Sequence, residues 1–159
     1  IVTLGALLAD SPHSRPIVVT GSGAHPDVAS RLGVEISRYE GPTGIIGVLQ
    51  DATHRRDIDA VSLWASVPHY VSTPPCPKAS LALINALEDF LEISISQGDL
   101  PERSQSWEKQ VDQLASEDLE VGEYVKQLEK SKDDNELPTM TGDAIAREVE
   151  RYLRRNPEF

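Results

Sequence analysis

Three loops of this 159-residue chain carry side chains that could do chemistry. The first is Asp10-Ser-Pro-His13-Ser-Arg15-Pro16. The second is Tyr39-Glu40-Gly-Pro-Thr43-Gly44, and the third is Val67-Pro68-His69-Tyr70. Between them they offer carboxylates, imidazoles, a guanidinium, a hydroxyl and phenols. That set suffices for general acid–base work, since imidazole and carboxylate groups can exchange protons with a bound substrate. The candidate ligand-binding residues are therefore Asp10, His13, Arg15, Tyr39, Glu40, Thr43, His69 and Tyr70. The same side chains would serve to tie loops together, with Asp10 and Glu40 paired to Arg15 or Arg38.

Other chemistries find less support. His13, His69 and Asp10 could supply metal ligands, but they form no compact spaced motif, and no metal is expected. Ser22 stands between Gly21 and Gly23 without the rest of a nucleophile elbow. Cys76 lies among prolines and reads as an incidental loop thiol. Gly41-x-x-Gly44 is too short for a phosphate loop and lacks its lysine. Catalysis is left open, no catalytic residue is assigned, and no cofactor is called for. His25 and His54 read as surface residues, and Trp64 and Trp107 as core anchors.

The elements that must position these loops alternate. Ile1 to Leu8 is apolar and β-branched and reads as a buried strand. A buried strand needs neighbours on both sides, which predicts sequence upstream. Ile17 to Thr20 reads as a second strand, stopped by Gly21-Ser-Gly23. Pro26 to Leu32 suits a short helix with proline in its first turn. Ile45, Val48, Leu49 and Ala52 form a helical stripe that His54, Arg55 and Arg56 close. Ala60 to Val67 is another buried strand. Lys78 to Glu92 is a helix with Leu81, Ile84, Leu87 and Leu91 facing inward. Strand and helix in alternation predict an α/β domain with a largely parallel sheet between helices. In such sheets ligands bind beyond the carboxyl ends of the strands, where the first and third loops fall.

The tail differs. Asp99-Leu-Pro-Glu102 is a capping box. Trp107, Val111, Leu114, Val121, Val125 and Leu128 then follow heptad-like spacing, with Asp118 as a polar break, and are the candidate partner-binding residues. Lys130 to Pro138 reads as a charged turn. Thr141 can cap a last helix carrying Ile145, Val149, Tyr152 and Leu153. The tail is thus expected to be a C-terminal helical hairpin, packed on the body or on a neighbouring subunit.

Charge is placed unevenly. The formal total is −11, of which residues 1–80 carry −1 and residues 81–159 carry −10. So acidic a tail repels phosphate backbones, which disfavours nucleic acid as a partner. It reads as a solvated helical face or as a docking surface for a basic partner. No apolar run is long enough to span a membrane and none follows a basic start, so no membrane partner is expected. A single cysteine fits a reducing, cytoplasmic location.

Leu4 to Pro16, Tyr39 to Ile45, Leu63 to Tyr70 and Pro77-Lys-Ala79 together resemble the actinobacterial branch of the proteasome assembly chaperone family, second type. Asp99-Leu-Pro-Glu102 and Gly142 to Glu148 resemble its C-terminal helices. The resemblance implies an α/β fold like that of the purine nucleoside phosphorylases, in a protein about twice this length. On that basis residues 1–97 are the C-terminal half of an α/β domain and residues 98–159 its acidic helical tail. It also implies a homo-oligomer and, by analogy of family rather than of site, a non-catalytic assembly role with proteasome subunits as partners. The alternative is a small-molecule-binding protein, or a hydrolase- or transferase-like enzyme, that uses the three loops.

Overall fold

The computed structural model of the chain describes residues 1–32, 34–36, 44–71, 73–135 and 149. In chain order the elements are β1 (Val2–Ala9), β2 (Val19–Gly23), α1 (Pro26–Leu32), β3 (Glu35–Ile36), α2 (Ile45–His54), β4 (Val61–Pro68), α3 (Pro77–Leu91), α4 (Leu100–Glu117) and α5 (Leu119–Asn135). The strands form one open sheet in the order β1-β4-β2-β3. β1 runs parallel to β4, and β2 parallel to β3, whereas β2 meets β4 antiparallel. The sheet is therefore mixed, and its longest pairing is the parallel one expected for an α/β layer.

β4 is the central strand, and its residues are mostly buried. Ala65 and Val67 point to the face covered by α3, where they meet Ile17, Val19, Ala79, Ala82 and Leu83. Ser62 points to the other face, where its hydroxyl accepts from Gln50 of α2 at 2.9 Å and pairs with Thr3 of β1 at 2.7 Å. Helices thus lie on both faces of the sheet. Trp64 shares that second face and covers Gly5 of β1. A Cβ on Gly5 would stand 2.6 Å from the indole, so only glycine lets the ring lie flat there. Similarly, a Cβ on Gly21 would come within 2.9 Å of Val34. Hence the glycines expected to stop the second strand lie inside it and admit the segment that returns beside it.

Four expectations need correction. β1 is not buried: among the described residues it pairs with β4 alone, and Leu4, Leu7 and Leu8 are exposed, Leu8 by 67%. The apolar stripe of α2 faces outward, with Ile45 78% exposed, and the helix turns Gln50 and Thr53 to the sheet instead. Sequence periodicity marks which residues share a face but not which face meets the core. In α3, Ala79, Ala82 and Leu83 pack against the sheet; of the residues expected to face inward, Leu81, Ile84 and Leu87 are half-buried, whereas Leu91 is exposed. Small residues let that helix approach the sheet. Finally, the Asp99 capping box does not form, because the Asp99 carboxylate makes no cap hydrogen bond.

The tail bends earlier than its spacing suggests. Asp118 is extended and separates α4 from α5. Its Oδ1 accepts the backbone N–H groups of Glu120 and Val121 at 2.9 and 3.2 Å. The polar break in the heptads is thus the N-cap of the next helix. A Cβ on Gly122 would lie 2.7 Å from the carbonyl oxygen of Ala115, so the two helices meet closely at this elbow. α5 continues to Asn135, through part of the expected charged turn. Apart from Val149, the expected last helix lies outside the described residues.

Candidate functional site

Because β1 and β4 run parallel in register, they end together at Ala9 and Pro68. The chain leaves both strands on the same side, and the His69 N–H donates to the Ala9 carbonyl at 3.3 Å. Five expected site residues, Asp10, His13, Arg15, His69 and Tyr70, consequently gather on one crest. Tyr39, Glu40 and Thr43 lie outside the described residues.

His13 is the centre of the crest and is only 1% exposed. Its Nδ1 lies 2.8 Å from the Tyr70 hydroxyl, which also accepts the His13 backbone N–H at 2.7 Å. Its Nε2 lies 3.0 Å from Asp112 Oδ1 on α4. One assignment satisfies every group of a neutral ring: the phenol donates to Nδ1, and Nε2–H donates to the carboxylate. The imidazole has no free nitrogen for a substrate. Burial pushes the Tyr70 hydroxyl up to about 12; the His13 N–H opposes this, and Glu129, Tyr124 and Asp112 add to it. Tyr70 therefore stays a neutral donor at ordinary pH.

The remaining crest residues also meet the tail helices. Tyr124 of α5 donates to Asp10 at 3.1 Å, and its ring packs edge-on against His69 and Tyr70 at centroid distances of 5.3 and 5.9 Å. His69 Nδ1 is 3.2 Å from Asp10 Oδ1. Desolvation and the bond to Asp10 both raise the Tyr124 hydroxyl. Ser14 donates to Glu129. Arg15 grips Asp133 with two donors, Nε at 3.1 Å and a terminal nitrogen at 2.8 Å. That fork holds the Asp133 carboxyl below the usual range. Lys78 at the start of α3 joins the His13 carbonyl to Glu108 of α4. Beyond the carboxyl ends of the parallel strands, the crest is thus met by carboxylates of the chain's own tail.

Next to the crest an open groove of about 520 Å³ runs between Ser14, Ile17, Lys78, Asn85 and Ser104. Burial raises the Cys76 thiol, so it is not an activated nucleophile. Among the described residues no group of three or more His, Cys, Asp or Glu could hold a metal ion.

The heptad-spaced residues divide. Trp107 and Val111 are buried in α4, and Val125 is buried in α5, so the chain's own packing uses them. Leu114 is exposed, and Val121 and Leu128 are half-buried. Sequence reasoning missed Asp112, Tyr124, Glu129 and Asp133, which lie in a tail rich in acids with nothing to distinguish these four. It also missed that His25 and His54 stack at 3.6 Å, with His25 Nε2 buried and unpartnered among the described residues.

Known proteins carry the same fold. A PAC2 family protein of Streptomyces avermitilis is 55% identical over 78% of this chain, with a TM-score of 0.68. A proteasome-assembly chaperone homologue of Mycobacterium tuberculosis is 48% identical over 78% of it, with a TM-score of 0.65. In each case the match covers 52% of the relative, so the chain spans about half their length. An archaeal homologue of proteasome-assembly chaperone from Pyrococcus furiosus shares the fold at 20% identity, with a TM-score of 0.50 over 72% of this chain and 52% of its own. No curated protein matches the chain. The PAC2 family model matches residues 1–115, from β1 through most of α4, and the chain belongs to the PAC2 family.

Proposed function

We propose that this chain is part of a non-catalytic assembly or interaction protein whose partners include proteasome subunits. One observation carries the reading. The polar groups an enzyme would present are tied to the chain's own tail, while large apolar side chains stand bare. His13, Arg15 and Tyr70 are engaged by Asp112, Asp133 and each other. Ile45, Val48 and Leu49 on α2 are exposed. Exposed apolar surface of this kind marks protein contacts rather than catalysis. A proteasome-assembly chaperone homologue among the relatives supports the choice of partner.

The reading includes residues 1–97 as one half of a larger α/β domain and residues 98–159 as its arm. The bare edge of β1 supports this, since a long apolar edge strand invites a further strand. A homo-oligomer and a cytoplasmic location belong to the same proposal. No helix among the described residues is long and apolar enough to cross a membrane.

Affinity capture of the tagged full-length protein from its own cells tests this. Proteasome subunits enriched over a tagged control are expected. Their absence, with no other partner enriched, contradicts the reading.

The groove beside Ser14 and Lys78 favours a second reading, a small-molecule binder. A thermal-shift screen of nucleosides, phosphates and carboxylates on the full-length protein separates the two. A reproducible shift favours the second reading.

A further inference from the structure

The two tail helices are held to the body in different ways. α4 is packed against α3 and buries Ser104, Trp107 and Val111. Among its described side chains α5 buries only Val125, and it reaches the body through polar side chains that remain partly exposed. Among them are Tyr124 on Asp10, Glu129 on Ser14, and Asp133 on Arg15. Partly exposed polar pairs of this kind are individually weak and screened by salt. The elbow at Asp118 interrupts the helix and gives α5 a place to hinge. Leu119 at the turn is 82% exposed and does not anchor it.

We propose that the crest of Ser14, Arg15, His69 and Tyr70 is a receptor for an acidic helical peptide of a partner, and that α5 is a releasable strap occupying it. The chemistry of the peptide follows from the strap. Glu129 and Asp133 stand one helical turn apart and face Ser14 and Arg15. Tyr124 packs edge-on against both His69 and Tyr70, which also touch each other. The receptor thus takes an aromatic residue followed, five and nine positions on, by two carboxylates on one helix face. Arg15 supplies the selectivity, since its two-donor fork matches a carboxylate. The tethered strap competes at high effective concentration, so a partner helix binds only when the strap is weakened or outmatched.

The proposal deepens the assembly reading by naming the partner's chemistry. Its test uses the protein with Tyr124→Ala, Glu129→Gln and Asp133→Asn together, and a labelled synthetic peptide of residues 119–135 as probe. Fluorescence anisotropy at low salt is expected to show at least tenfold tighter binding than to the intact protein. Adding Arg15→Glu should remove that gain. Equal binding to both proteins, or binding indifferent to Arg15→Glu, overturns the proposal. If the triple variant fails to fold, hydrogen exchange on the intact protein decides. Amides of α5 should exchange at least tenfold faster than those at Trp107–Val111, and equal protection overturns the strap. Peptide binding without any proteasome partner in cells would contradict the assembly reading alone. Partner capture without peptide binding would contradict this inference alone.

Discussion

His13 and Asp112 stand 99 positions apart in the sequence, yet their side chains meet at 3.0 Å. The imidazole is buried and the carboxylate is 61% exposed. The contact turns the residue best suited to proton transfer into the pin between the first loop and α4.

The two partners should not cost the same on removal. Asp112→Ala leaves the His13 N–H near water and is expected to lower stability by about 1 kcal/mol. His13→Ala empties a buried site and leaves the Tyr70 hydroxyl without its ring partner, for about 2–4 kcal/mol. Urea unfolding of both variants and of the double variant measures the coupling. Equal losses would remove His13 from the centre of the crest.

Tyr70 predicts an alkaline limit. Its hydroxyl titrates near 12 in the folded chain and near 10 when unfolded. Between those values the unfolded state binds fewer protons than the folded one, so stability falls as pH rises. The contribution is complete below about pH 10 and is lost by about pH 12. Tyr70→Phe should remove this part of the pH dependence and cost about 1–3 kcal/mol at neutral pH by orphaning the buried His13 N–H. Unfolding curves from pH 8 to 12 read both effects, and an unchanged pH profile in the variant contradicts the assignment.

Gly5 should not tolerate a side chain. Gly5→Val forces a branched group into the Trp64 ring, and the loss is expected at about 1–3 kcal/mol. Trp64→Leu on the same protein should return part of that loss, because the two residues compete for one volume. Thermal melts of the two single variants and the double variant check this; strictly additive losses would place the strain elsewhere.

Much of the fold could be read from local signals. β4, α1 and α2 start and stop within a residue or so of where pattern, proline and charge put them. The gathering of Asp10 and His13 with His69 and Tyr70 could be read too, because two parallel strands in register must end together. What could not be read depends on distant partners. Ile45 and Val48 carry a helical stripe, but only tertiary packing decides that Gln50 and Thr53 turn inward. Asp112 looks like any solvated carboxylate until α4 packs beside the first loop, and Glu129 and Asp133 do so until α5 folds back from Asp118. That fold-back recasts the expected ligand site as one already occupied.

Asp118 should therefore matter beyond its own position. Asp118→Ala removes the cap on two N–H groups of α5 at a cost of about 1 kcal/mol. Exchange of α5 amides should quicken while α4 keeps its protection. Matching changes in both helices would show one unit rather than a fixed helix and a strap.

The role we propose for this chain is to hold partners rather than to transform a substrate. The most direct measurement is capture of proteasome core subunits by the tagged full-length protein, quantified against a tagged control. Reproducible enrichment is expected, falling when the exposed apolar side chains Ile45 and Val48 of α2 are replaced by Asp. No enriched partner, together with stabilisation by a small anionic metabolite, would contradict it.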